Sequence, residues 1–446
     1  TTWFACAGCG ARPADGRPVP LVCPNAATGD GIDHVLVRHL DPAAAPIPVT
    51  DDPNPFVAYR RLFHAWYAAR AAGLDDDGYV ARVRALDDAV AAVDGHGFRV
   101  TPFARSATLS TALGLSAGGV WVKDETGNVS GSHKARHLFG TLLELEVAGT
   151  RPEVPLAIAS CGNAALAAAV VARAADRQLL VFIPTDADIA VVSRLRSLGA
   201  QLTVCERTPG VAGDPTYLEL LDAIDEGALP FTCQGNLNAF AVEGGETLGL
   251  ELAAAVGRRD GPPRIDRVVV QVGGGALASS VIAGFANARV AGIALDQPRF
   301  DTVQTRGAFP LARAHEGVAA RVAAGESIEA ALAFAAHHRA EFMWPWEEAP
   351  HSVAHGILDD ETYDWQAVVA GMLRTGGTPL VVDEATLEAA NDLARTATGI
   401  DVDHTGSAGL AGLLQLSRDG ALDPDEHVVI CFSGITRHPE QEDTRS

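Results

Sequence analysis

Of the 34 basic side chains in this 446-residue sequence only two are lysines, Lys123 and Lys134. Both fall in one stretch, Trp121-Val122-Lys123-Asp124-Glu125-Thr126-Gly127-Asn128-Val129-Ser130-Gly131-Ser132-His133-Lys134-Ala135-Arg136. Where arginine serves for almost every positive charge, a retained lysine marks chemistry that arginine cannot do. A guanidinium stays protonated and forms no imine, whereas a buried amine loses its proton and condenses with carbonyls. Lys134 is therefore the candidate imine-forming residue. The plain alternative is that two lysines fell together on a solvated loop.

Three further loops follow apolar, strand-like runs, as a ligand site at the carboxyl ends of a parallel sheet requires. Ser160-Cys161-Gly162-Asn163 opens an Ala-rich helix. Its backbone N–H groups suit a carboxylate, although an ordinary Asn cap reads the same way. In this loop Cys161 is expected to be a small buried residue rather than a reactive thiol. Gly273-Gly274-Gly275-Ala276 follows Val268-Val269-Val270-Gln271-Val272 and can cradle a phosphate. Gly273, Gly275 and Ala278 also match a dinucleotide fingerprint, with Asp296 as its acidic partner at the end of the next strand. Ser433-Gly434 follows the run ending in Cys431-Phe432.

An imine-forming lysine, a carboxylate loop, a phosphate loop and a strand-end hydroxyl are what a pyridoxal 5'-phosphate site with an amino-acid substrate needs. A dinucleotide-dependent oxidoreductase, the remote alternative, leaves Lys134 unexplained. The order Lys-x-Glu…Gly-Ser-x-Lys, Ser-x-Gly-Asn, glycine loop, Ser-Gly resembles the fold-type II pyridoxal phosphate enzymes, which include threonine synthase, serine/threonine dehydratases, cysteine synthase and the tryptophan synthase β-subunit. The likeness runs from about Thr101 to Pro439. It includes Phe182-Ile183-Pro184 and Arg194-Leu195-Arg196-Ser197-Leu198-Gly199-Ala200.

The resemblance implies that Lys134 carries the cofactor and acts as catalytic base. It implies that Asn163 contacts the cofactor's 3′ oxygen, that Gly273, Gly274, Gly275 and Ala276 hold its phosphate, and that Ser433 faces its ring nitrogen. Ser160, Cys161, Gly162 and Asn163 would surround the substrate carboxylate. The implied reaction is carbon–oxygen elimination or replacement on a hydroxy amino acid or its phosphate ester. A β-replacement synthase is the same-fold alternative. A phosphate ester needs a second anion site, for which Arg136, with Arg105 and Arg437, is the candidate. The chain departs from threonine synthases at His133, Ala135 and the segment Ser433-Gly434-Ile435-Thr436-Arg437-His438-Pro439.

The elements that must position these loops are legible as alternating runs. Leu156–Ala159, Leu179–Ile183, Gln201–Cys205, Arg267–Val272 and His427–Phe432 read as strands. Helices are expected over Asn163–Ala175, Ala190–Leu198, Tyr217–Ile224 and from Ala276 onward. Apolar strands spaced by helices mean parallel sheets covered on both faces. The expected fold is thus α/β, with two doubly wound domains of fold-type II character and a small Cys-containing N-terminal element. The expected division is 1–40, a degenerate zinc-ribbon-like element; 41–135 with 241–446, a large cofactor domain; and 136–240, a small α/β domain.

In that N-terminal element Cys6-x-x-Cys9 and Cys23 resemble a degenerate zinc ribbon, but its expected fourth cysteine is Ala26. Reduced cysteines without metal are the favoured reading. Zinc on Cys6, Cys9, Cys23 and His34 is the alternative. The net charge of −22 disfavours nucleic acid as a partner. No apolar run is long enough for a membrane span. A cytoplasmic enzyme acting on a small amino acid is expected, and the resemblance is compatible with a homodimer.

Overall fold

The computed structural model describes residues 2–13, 21–26, 30–41, 47–207, 213–293, 296–348 and 350–437. His438 and Pro439 of the C-terminal segment lie outside the described residues.

The strands in chain order are β1 (Thr2–Cys6), β2 (Leu36–Leu40), β3 (Phe103–Ser106), β4 (Gly119–Asp124), β5 (Leu156–Ala159), β6 (Leu179–Pro184), β7 (Gln201–Cys205), β8 (Leu229–Pro230), β9 (Arg267–Gln271), β10 (Arg299–Thr305), β11 (Pro379–Val382) and β12 (His427–Phe432). They form a six-stranded sheet ordered β11-β10-β9-β12-β4-β3, a four-stranded sheet ordered β7-β6-β5-β8, and the pair β1-β2. Every pairing in the two larger sheets is parallel except β3 with β4. β9 is buried at all five positions, as a strand covered on both faces must be.

All strands of the smaller sheet come from residues 156–230, and those of the larger sheet from 103–124 and 267–432. On this basis we propose the two-domain division at 136–240 that the sequence suggests.

β10 escapes a pattern reading because Arg299-Phe300-Asp301-Thr302-Val303-Gln304-Thr305 is mostly polar yet almost wholly buried. Its polar atoms are satisfied inside the sheet. Asp301 pairs with Arg267 of β9 and accepts the Thr378 N–H at 2.7 Å. The dinucleotide fingerprint fails at this point. Asp296 precedes β10 instead of ending it, and it is exposed.

Three helices, Lys134–Val147, Ala241–Ala255 and Ala276–Ala291, pack backbone to backbone through glycines. A Cβ on Gly140 would lie 2.6 Å from Gly244 Cα, and one on Gly249 2.6 Å from the Val281 carbonyl oxygen. The N-terminal element is docked onto this body. Phe4 meets Phe240 edge-on, with ring centroids 5.0 Å apart. Arg38 of β2 donates to Glu246 at 2.5 Å, and Asp33 accepts from Arg339 at 3.1 Å and from Gln366 at 2.7 Å. No helix among the described residues is long and apolar enough to cross a membrane.

Candidate active site

Adjacent central strands deliver the first parts of the site. β4, β12 and β9 are neighbours running in one direction, so their carboxyl ends share one edge. The chain after β4 leads through a short 3₁₀ turn, Val129–Gly131, to Lys134 at the start of its helix. Ser433 follows β12, and Gly273–Gly275 follow β9. The Lys134 loop is pinned to the β12 end. His133 donates its backbone N–H to the Ser433 carbonyl at 3.0 Å, and Ile435 donates to the Gly131 carbonyl at 2.9 Å.

Lys134 is half-buried, and its amine makes no hydrogen bond or ion pair within the described residues. Lys123 differs: only 1% exposed, it donates to Glu251 at 2.5 Å and to the Thr101 carbonyl at 2.8 Å. Next to Lys134, burial holds the His133 imidazole well below its ordinary pKa. Its Nδ1 faces the Ser433 carbonyl at 3.1 Å, and only a protonated Nδ1 can bond there. The buried Nε2 then has a bare lone pair and no partner among the described residues.

The glycine loop can be built only from glycine. Gly275 has φ +100°, and a Cβ on Gly273 would meet Asp359 Oδ2 at 2.4 Å and Ile357 Cα at 2.9 Å. Thr362 Oγ1 donates to the Gly273 carbonyl at 2.9 Å, and the Asp364 N–H donates to the Gly274 carbonyl at 3.0 Å. In trans peptides the next N–H points the opposite way. The N–H groups of Gly274 and Gly275 therefore turn away from these donors, and that of Gly274 meets the Asp359 carboxyl. Asp359 is pushed up to about 6 by burial, against the pull of Lys134 and the Gly274 N–H. The Gly274 N–H is thus one of the groups that favour the charged form of this carboxyl. Asp364 is likewise pushed up to about 7 by burial, and its Oδ2 has no partner among the described residues.

Ser433 Oγ accepts from Gln271 Nε2 at 2.7 Å, so its own proton is free to donate elsewhere. From the other sheet, the loop after β5 brings Asn163 to the same place. A Cβ on Gly434 would lie 2.5 Å from Asn163 Nδ2. Arg437 donates to Asn163 Oδ1 at 2.6 Å and to the Ser130 carbonyl at 2.7 Å. Lys134, Asn163, the glycine loop and Ser433 thus converge, and an aldehyde cofactor bearing a phosphate fits them. The lysine is unpartnered, the cradle admits no Cβ, and a hydroxyl proton is available for a ring nitrogen.

Two expectations need correction. Arg136 does not reach the cleft. Two residues turn a helix by about 200°, and Arg136 is fully buried beneath the site. It donates to Glu125 at 2.7 Å and to Glu251 at 2.6 Å. These two carboxylates occupy its guanidinium, so it cannot meet a substrate phosphate. Cys161 is exposed rather than buried. Its thiol is pushed up by desolvation in the cleft and then by Asp186, Asp214 and Asp359. Arg105 lies at the sheet edge, on the Gly118 carbonyl at 3.0 Å. The sequence reading missed Gln271, Asp359 and Asp364, which carry no motif of their own.

A family model described as pyridoxal-phosphate dependent enzyme matches residues 96–434. A threonine synthase of Methanosarcina acetivorans is 26% identical over 337 residues, which is 75% of this chain and 74% of that protein. Among solved structures, maize serine racemase superposes with a TM-score of 0.57 at 19% identity, covering 79% of this chain and 92% of the other. An L-serine ammonia-lyase from the fungus Rhizomucor miehei superposes with a TM-score of 0.56 at 20% identity, covering 76% and 94%.

Proposed function

This chain belongs to the pyridoxal-phosphate dependent enzyme family, and from that premise we propose that it is a lyase removing the hydroxyl of a free hydroxy amino acid of the serine or threonine type. The cofactor is pyridoxal 5'-phosphate, which when bound supplies the electron sink that lets a proton leave the substrate's α-carbon. The observation that carries the reading is the Lys134 amine, without a hydrogen bond or ion pair among the described residues, on a loop pinned to Ser433 and beside the Asp359 carboxyl that lies on the glycine loop. Lys134 would hold the cofactor and then take the α-proton at Nζ. Ser160, Cys161 and Gly162 would bind the substrate carboxylate at the start of the Asn163 helix. A neutral hydroxyl at position 433 stabilises a protonated ring less than a carboxylate would, which favours elimination or replacement over amino-group transfer.

A free hydroxy acid is preferred to a phosphate ester because Arg136 is consumed by Glu125 and Glu251. The charges felt at Cys161 are also negative, since Asp186, Asp214 and Asp359 each help to raise its thiol. One observation favours the ester as a second reading. Arg437 uses Nε and Nη2 on Asn163 and Ser130, and among the described residues its Nη1 is left for a further acceptor.

The test is turnover of L-serine, L-threonine, O-phosphoserine, O-phosphohomoserine and O-acetylserine, following ammonia, keto acid and phosphate. Ammonia and keto acid from free serine or threonine are expected. Phosphate release from the esters alone would transfer the assignment to the second reading. Consumption of O-acetylserine only with an added nucleophile would make the protein a replacement synthase.

A further inference from the structure

The N-terminal element contains a side-chain cluster that the catalytic site does not use. Cys6 ends β1, Cys9 closes the tight turn after it, Cys23 comes from the next described segment, and His34 lies just before β2. Their ligand atoms all lie within 4.8 Å of one another. Cys9 Sγ and Cys23 Sγ are 3.7 Å apart, and Cys6 Sγ and His34 Nδ1 are 3.7 Å apart. Tetrahedral zinc with bonds of about 2.3 Å to sulfur places its ligands about 3.8 Å from one another. Two of the cluster's six edges therefore match those of a zinc tetrahedron, and none exceeds 4.8 Å.

The surroundings also match. His34 directs Nδ1 at the cluster, while its Nε2 bonds Asp30 Oδ2 at 2.6 Å, the carboxylate support that fixes a ligating imidazole. Backbone N–H groups point at the sulfurs, from Cys9 to Cys6 Sγ at 3.5 Å and from Asn25 to Cys23 Sγ at 3.4 Å. Such donors stabilise thiolate charge. The turn that brings Cys9 back to Cys6 is closed by the Gly10 N–H on the Cys6 carbonyl at 2.9 Å. It also requires glycine at position 8, where a Cβ would come 2.2 Å from the Asp33 carbonyl oxygen. Cys6 and Cys23 are buried on Phe4, Ala239 and Phe240.

We propose that Cys6, Cys9, Cys23 and His34 form a structural zinc site with four protein ligands, His34 standing where the sequence offers Ala26 in place of a fourth cysteine. Four protein ligands leave no open position, so the ion does no catalysis. It clamps the N-terminal element onto the chain at Ala239 and Phe240, between β8 and the helix Ala241–Ala255. The Ala239 N–H bonds the Leu21 carbonyl there at 3.0 Å.

The test is metal analysis of full-length holoprotein purified under reducing conditions without chelator. One zinc per chain is expected. Replacement by cobalt should give thiolate charge-transfer absorbance and the visible bands of a tetrahedral site, a readout that needs no variant. His34→Cys should keep one metal and shift the cobalt spectrum toward an all-sulfur site, whereas His34→Ala should lose most of the metal. Cofactor absorbance on Lys134 should persist in both. Less than a tenth of an equivalent of metal after zinc supplementation, a Cys9–Cys23 disulfide in the protein as purified, or full zinc retention in Cys6→Ser/Cys9→Ser would each overturn the proposal.

Discussion

Lys123 Nζ lies 2.5 Å from Glu251, and Lys134 Nζ has no such neighbour among the described residues. This difference decides which lysine can react. An amine held in a buried ion pair is not available to attack, whereas one without such a partner can condense with a carbonyl. Borohydride reduction followed by peptide mapping should place the cofactor on Lys134 alone, and Lys134→Arg should lose turnover while keeping its fold. Lys123→Met should retain the cofactor label and lose about 3 kcal/mol or more of stability, read by chemical denaturation, because it breaks a buried pair. Asp359 makes a second residue-scale prediction. Its carboxyl ionises near 6 against the glycine loop, so above that pH its charge opposes a bound phosphate. Asp359→Asn should hold pyridoxal phosphate several-fold more tightly than the wild type at pH 8. The two proteins should converge below about pH 5, where the wild-type carboxyl is protonated as well. An equilibrium absorbance titration across pH measures this.

At the scale of elements, glycine has two separate uses. In the helices Ala241–Ala255 and Ala276–Ala291 it allows close approach. A Cβ at Gly249 would sit 2.6 Å from a backbone oxygen and 3.1 Å from Gly284 Cα, atoms that cannot give way without moving a helix. Gly249→Ala should cost about 1–3 kcal/mol, seen as a lowered denaturation midpoint. In the loop before the Asn163 helix, nothing lies within 4 Å of a Cβ at Gly162. Gly162→Ala should leave stability within about 0.5 kcal/mol. If the loop amides bind the substrate carboxylate, this variant should raise KM with little change in Tm.

Over the whole molecule, buried acids make stability depend on pH. Arg38, His64, Glu144, Glu243 and Glu246 meet where β2 and the helices Lys134–Val147 and Ala241–Ala255 join. One arginine and one histidine face three carboxylates. Burial pushes Glu243 up to about 8, against Arg38, and Glu144 adds to the push. The folded state thus binds a proton that the unfolded chain releases near pH 4.5. Its stabilising contribution is complete below that pH and is lost as pH rises through about 8. The raised pKa of His64, which accepts charge support from Glu144, acts in the same direction. Relative to the wild type, Glu243→Gln should gain melting temperature as pH rises from about 5 to about 8, as calorimetry across that range would show.

Local pattern determined much of this protein. β5 and β12 are legible to the residue because each is a short apolar run between turn signals, β7 because polar and apolar residues alternate through it, and the Asn163 helix because alanine repeats through it. Lys134, the glycine loop and Ser433 are legible because each is a residue type whose chemistry or backbone freedom has few substitutes. What local pattern cannot carry is a partner far away in the chain. Arg136 reads as a free cation until Glu251 arrives 115 residues later to claim it. β10 reads as polar until Arg267 and Thr378 satisfy Asp301 from neighbouring segments. His34 reads as a lone histidine until the pairing of β1 with β2 brings it to Cys6. Asp359 becomes part of the site only because its segment folds over the glycine loop. In each case the side chain's role is set by burial and by charges that only tertiary packing brings within range.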